Sequence, residues 1–412
     1  MTNIQKPELL APAGDFERLK AAVYYGADAV YIGGTRFGMR AAPQNFDDDS
    51  LSEAVSFAHS SGAKVYLTCN IIPNTRELSA LPVFLENAAS AGVDAFIITD
   101  LGVLSYAKKY APGVEIHIST QTGVANSESA KLLHDLGARR IVAARELSIG
   151  EIEDLKKGMP QDMELECFVH GAMCVSYSGR CLLSNYLTGR HSNKGDCSQP
   201  CRWQYSLVEQ TRPGEYIPVE QTESGTYIMN SKDMCMIEHI PQLVAAGVTS
   251  FKIEGRAKTE YYTAVVTNAY RSAIDAFMKH PSADFMPDRW ILEEPYKISH
   301  RGYCTGFYFG SPMEDAQVYY DGGYIREWEV AAVAEKCENG TLIVSQRNRF
   351  FEGDALEVMN RGKAPTQIVV KNLRNSQGEP VNSAPNPMSE FSFDCDADVP
   401  NGAFLRRIID RR

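Results

Sequence analysis

Eight short apolar runs, each ending in glycine or a polar residue, punctuate the first 280 residues of this 412-residue chain. They are ELLAPAG (8–14), AVYIGG (29–34), KVYLTCN (64–70), AFIITD (95–100), EIHISTQ (115–121), RIVAAR (140–145), LECFVHG (165–171) and FKIEGR (251–256). Runs this rich in β-branched and aromatic residues read as parallel strands buried on both faces. Between them lie amphipathic stretches such as DFERLKAAVYYGA (15–27), apolar at i, i+3, i+4 and i+7. Gly26, Gly62, Gly92, Gly137 and Gly247 stand where such helices would end. Eight strand–helix units in this length predict a (β/α)8 barrel of the TIM type better than an open doubly wound sheet.

The spacing breaks once. Between the seventh and eighth runs lie about 80 residues, where a single helix, expected over 233–246, would suffice. The excess, residues 171–228, leaves the C-terminal end of the seventh strand, the face on which barrels of this type carry their active sites. The barrel with this insertion is expected over 1–280. Residues 281–324, rich in Pro, Gly and aromatics, read as a linker. Residues 325–412 read as a small antiparallel β-barrel domain, with a hairpin signal at Asn339-Gly340.

Four of the ten cysteines lie in the insertion, spaced Cys174-x6-Cys181-x15-Cys197-x3-Cys201. Four thiolates from one loop suit tetrahedral zinc or an iron–sulfur cluster. Zinc ribbons favour paired CxxC knuckles, and the chain has none. The wide, unequal spacing suits a [4Fe-4S] cluster better, with zinc and free thiols as the remaining readings. Cys235, expected at the start of the next helix, is a reserve fourth ligand. Cys167, Cys69, Cys304, Cys337 and Cys395 read as core, as does His117 at a strand centre.

No apolar run approaches the roughly 20 residues of a membrane helix, and MTNIQKPELL lacks a signal peptide's apolar core. A cytoplasmic protein without membrane association is expected. Reducing conditions there favour metal binding or chemistry over disulfides. The net charge of −11 argues against wholesale coating of nucleic acid, but not against a local basic face. Residues 170–213 hold five Lys/Arg against two acids, and 341–378 hold six, Arg347, Arg349, Arg361 and Lys363 among them, against three. Ordinary solvated surface is an equal reading of both.

Side chains at strand ends are the natural lining of a barrel pocket. His170, Glu254, Lys252 and Arg145 are candidate catalytic residues, His170 as a proton shuttle and Glu254 as a general base. Arg40, Asn70, Gln121 and Arg256 are candidate binding residues, and the cations suit a small dicarboxylate. A barrel-mouth salt-bridge network explains the same residues equally well. Tyr177 and Trp203, on the insertion, could stack an extruded base, or only pack the loop. The sequence contains neither HExxH nor GxSxG. A Cys–His protease pairing His170 with Cys174 would leave three neighbouring cysteines unexplained.

ELLAPAGDFERLKAAVYYGADAVYIGG, ECFVHGAMCVSYSGRCLLSNY, GDCSQPCRW and FKIEGRAKTEYY together resemble peptidase family U32, the collagenase-like proteins, and SHRGYCTGFYFG resembles the segment before that family's C-terminal domain. The resemblance runs over nearly the whole chain and is closest to the branch that hydroxylates the wobble uridine of tRNA. It implies an oxygen-independent hydroxylase with a [4Fe-4S] cluster, tRNA as partner and prephenate as donor. Cys174, Cys181 and Cys197 match cluster ligands of the family's ubiquinone-type members, with Cys201 and Cys235 rivals for the fourth place. The alternatives are a U32-type peptidase, hydroxylation of ribosomal RNA, and a non-enzymatic cluster-carrying RNA-binding module. A partner subunit or a homo-oligomer remains open.

Overall fold

The computed structural model describes residues 5–39, 45–173, 181–192, 195–203, 206–208, 216–218, 232–310 and 324–409. All eight expected runs form strands: β1 (Glu8–Pro12), β2 (Ala29–Gly33), β3 (Lys64–Cys69), β4 (Ala95–Ile98), β5 (Glu115–Ile118), β6 (Arg140–Val142), β7 (Glu164–Ala172) and, after the insertion, Ser250–Ile253. The insertion adds β8 (Ser206–Val208) and β9 (Tyr216–Pro218), an antiparallel hairpin, and then β10 (Asp233–Cys235). The eighth barrel strand is therefore β11, which pairs in parallel with both β1 and β7 and closes the barrel.

Local chemistry sets the helices between these strands. Asp15, Asp47, Asp100, Asn126, Ser148 and Thr259 each accept a hydrogen bond from a backbone N–H of the first helical turn. The five glycines read as helix ends all have φ between 80° and 101°, which side chains with a Cβ resist. Inside the barrel, Leu10, Ala29, Tyr31, Tyr66, Ala95 and Ile97 form one apolar cluster. Cys69 and Cys167 are buried core residues and His117 is fully buried, as expected.

The helix expected over 233–246 is shorter. Residues Asp233–Cys235 are strand, antiparallel to His170–Ala172, and the helix covers only Ile240–Ala245. The reason lies in β7, which at nine residues outruns its barrel neighbours and presents an unpaired edge. β10 covers that edge, and β12 (Tyr303–Cys304) pairs with β10 in turn.

The chain divides into two compact units, residues 1–286 with 301–323, and 287–300 with 324–412. The stretch read as a linker is thus shared between them. The second unit is an antiparallel half-barrel of seven strands around Leu342, Val344, Phe350, Leu356, Phe393 and Leu405. Asn339 and Gly340 turn with φ of 52° and 76°, the two positive values a tight hairpin requires. Within this unit, Lys297 and Arg406 share the carboxylates of Glu294 and Glu357, all four buried.

Candidate active site

The C-terminal ends of the barrel strands and the described part of the insertion enclose a cavity of about 170 Å³. Six of the residues singled out from sequence reach it: Asn70, Gln121, Arg145, Lys252, Glu254 and Arg256. Cys181, Cys197 and Cys201 border the same space from the insertion. Arg40, Cys174 and Tyr177 lie outside the described residues. Trp203 is half exposed at the edge of the insertion and does not line the cavity.

Lys252 forms the floor. Its Nζ lies 2.7 Å from Glu166 Oε1, with the Tyr31 and Phe168 rings 4.7 and 5.4 Å away. Glu166 is fully buried and also meets Arg140 at 3.0 Å, which in turn binds Glu8 at 2.6 Å. Tyr66 and Ser250 donate to Glu8, so an ionic column runs down the barrel axis. Burial alone would raise the carboxyl groups of this column. Lys252 and Arg140 reverse that for Glu166 and keep it ionised, and Arg140 with its hydrogen-bonded neighbours holds Glu8 down at about 2. Burial, with Arg140 nearby, keeps His117 neutral.

The wall carries the other cations. Arg145 stacks on Phe168, its Cζ 3.8 Å from the ring centroid, and reaches Glu254 at 3.5 Å and the Ala172 carbonyl at 3.1 Å. Its Nε is buried with no hydrogen-bond partner among the described residues. Arg256 donates to Thr68 Oγ1 at 2.7 Å and to the Met39 carbonyl. Asn70 accepts from the Met39 backbone N–H, so these two residues hold the segment after β2 over the cavity.

His170 stands elsewhere. It is 1% exposed, packs on the rings of Tyr262, Tyr270 and Tyr303, and does not line the cavity. The β7–β11 register slips between Lys252 and Ile253, so that His170 pairs with Ile253 rather than falling in phase with Phe168. The proton-shuttle position read from strand-end spacing is therefore not at the cavity. Cys235 does not line the cavity either: it pairs with His170, and burial pushes its thiol up to about 11.

Backbone N–H groups two residues downstream point at two of the cavity thiols, from Leu183 to Cys181 Sγ at 3.4 Å and from Gln199 to Cys197 Sγ at 3.3 Å. Bonding of this type is found around iron–sulfur ligands. Among the described residues, no three His, Cys, Asp or Glu side chains are gathered to hold a metal ion.

Sequence reading missed Glu166, Tyr31, Thr68 and Phe168. Strict alternation back from Asn70 would have found Thr68, and alternation along β7 would have linked Glu166 with Phe168. Among the described residues, no helix is long and apolar enough to cross a membrane.

Comparison with known proteins matches residues 14–317 to a family described as "Peptidase family U32" and residues 326–406 to its C-terminal domain. A Bacillus subtilis protein named "tRNA hydroxylation protein P1" is 36% identical over 98% of this chain and 95% of its own length. "tRNA hydroxylation protein P" of Escherichia coli is 35% identical over 92% of each chain. An "uncharacterized protease" of Methanocaldococcus jannaschii is 43% identical over 89% of this chain and 90% of its own length. With a cysteine-lined barrel mouth, a C-terminal half-barrel, and both parts matched over most of their length, the chain belongs to peptidase family U32.

Proposed function

We propose that this protein is an RNA hydroxylase that converts the wobble uridine of tRNA to 5-hydroxyuridine without molecular oxygen. The observation that carries the reading is the shared cavity, where three insertion cysteines face Arg145, Lys252 and Arg256 at the working end of the barrel. The near full-length likeness to proteins named for tRNA hydroxylation supports it.

Cys181, Cys197 and Cys201, with Cys174, would hold a [4Fe-4S] cluster; their thiolate chemistry and the N–H groups aimed at two of them fit that group. When bound, the cluster would supply the redox capacity that turning a C5–H into a C5–OH demands, a two-electron oxidation of the base. The protein's own residues do the positioning. Arg145 and Arg256 offer forked donors to a dicarboxylate oxygen donor, with prephenate the expected one. Lys252 and Glu166 hold a compensated charge pair at the floor. The apolar faces of Tyr31 and Phe168 exclude water from between them. Trp203, exposed on the insertion, would stack RNA bases at the entrance.

A peptidase reading has the family's name and the names of two relatives behind it, an uncharacterized protease and a collagenase. No histidine is among the described residues lining the cavity, so no thiolate–imidazole pair forms there. The deciding experiment is mass spectrometry of tRNA nucleosides from a deletion strain, together with iron and sulfide analysis of anaerobically purified protein. Loss of hydroxylated wobble uridine and a bound cluster are expected. Unchanged tRNA with cleavage of gelatin by metal-free protein would overturn the reading.

A further inference from the structure

We propose that Lys252 is the attachment point of a small 2-oxo acid, which it binds as an iminium while Arg145 takes the carboxylate. This deepens the reading of the cavity as an oxygen-donor site and rests on it, since the expected donor itself carries a 2-oxo acid side chain.

Lys252 is 4% exposed, yet its side chain lines the cavity. A buried ion pair that served stability alone would be better placed with protein on every side; this one adjoins open space, and leaving a charge there uncompensated is costly. The volume, about 170 Å³, is that of roughly five or six waters at ~30 Å³ each, enough for a small organic acid. Lys252 and Arg145 contact the same Phe168 ring, Nζ at 5.4 Å and Cζ at 3.8 Å from its centroid. Both groups line the same cavity, so a carbonyl and the carboxylate bonded to it can be served by the two from one space. Arg145 has donor capacity left for that carboxylate: its Nε is unsatisfied among the described residues, and its contact to Glu254 is long, at 3.5 Å. A plain ketone would leave the arginine unused, so the fork selects a 2-oxo acid.

Lysine amines form such adducts when they are desolvated or lie close to a second cation. The first condition holds here, with Lys252 4% exposed, and its carboxylate partner Glu166 is shared with Arg140 at 3.0 Å. The step balances without oxidant or reductant. Glu166 Oε1, 2.7 Å from Nζ, accepts one ammonium proton, and the freed lone pair attacks the carbonyl carbon. The carbonyl oxygen becomes a hydroxyl on taking a proton from the nitrogen. The proton held by Glu166 then lets that hydroxyl leave as water, with C=N formed. Ammonium plus ketone gives iminium plus water, so the positive charge that Glu166 balances at the start is restored at the end.

The test uses the full-length protein, purified anaerobically and incubated with pyruvate and sodium cyanoborohydride, with the reduced adduct mapped by peptide mass spectrometry. The adduct is expected on Lys252, absent with lactate, which has no carbonyl, and about tenfold weaker in Arg145→Met, in line with the loss of a charge-assisted bond. No adduct, or one spread over exposed lysines such as Lys157, overturns the proposal; this readout is on the wild-type chain and does not depend on a variant folding. No adduct beside deletion-dependent hydroxyuridine would remove the iminium alone. An adduct on Lys252 beside unchanged tRNA would keep this site and remove the hydroxylase reading.

Discussion

Phe168 and His170 stand two residues apart on β7 but face opposite ways, Phe168 into the cavity and His170 onto Tyr262 and Tyr270. The one-residue slip against β11 separates them. His170→Ala is therefore expected to lower stability by about 1–3 kcal/mol, through lost ring contacts and a buried void, while hydroxyuridine per folded molecule is kept. Thermal melting and nucleoside analysis of a complemented deletion strain check this; normal stability with abolished modification would return His170 to the chemistry.

Cys181→Ser, Cys197→Ser and Cys201→Ser should each cut bound iron and hydroxyuridine at least tenfold, because serine does not replace a thiolate ligand. Cys235→Ala should leave both near wild type, since Cys235 pairs with His170 away from the cavity. Iron content measured on anaerobic protein decides between Cys201 and Cys235 as fourth ligand.

Arg145→Lys keeps the charge but loses the stack on Phe168 and the planar fork. Modification should fall about tenfold, equivalent to ~1.4 kcal/mol, with the melting temperature nearly unchanged. Equal activity of the lysine variant would show that only charge is needed at this wall.

Gly171 has φ +105°, and an added Cβ would lie 2.5 Å from the Glu254 carbonyl oxygen. Gly171→Ala should destabilise by at least about 2 kcal/mol, since neither the conformation nor the space admits a methyl group. Denaturant unfolding measures it.

Glu8 is held at about 2, below its ordinary 4.5, because Arg140 and hydrogen bonds outweigh the opposing effect of burial. A carboxyl lowered on folding contributes stability that is complete above 4.5 and lost as pH falls toward 2. The shift corresponds to about 3 kcal/mol. Urea unfolding of wild type should show this loss between pH 5 and 2 (about the span of the two values), and Glu8→Gln should flatten it.

Much of the site was legible before any coordinates. Asn70, Gln121, Arg145, Lys252, Glu254 and Arg256 follow strand runs that the sequence marks plainly, and parallel barrels place such positions at one end. Glu166 escaped notice because a carboxylate inside an apolar run reads as an irregularity until Arg140 and Lys252, far away in sequence, are seen to neutralise it.

The order of apolar runs, caps and glycines along the chain was by itself enough to determine eight strands, their helices and a cysteine-bearing insertion at the mouth, because those features act over a few residues. Tertiary structure alone decided which face each strand-end residue takes, that β10 rather than a helix covers the extended edge of β7, and that His170 and Cys235 stand apart from the cavity. Those outcomes depend on register between strands distant in sequence, and a slip of one residue reverses the face of every side chain beyond it.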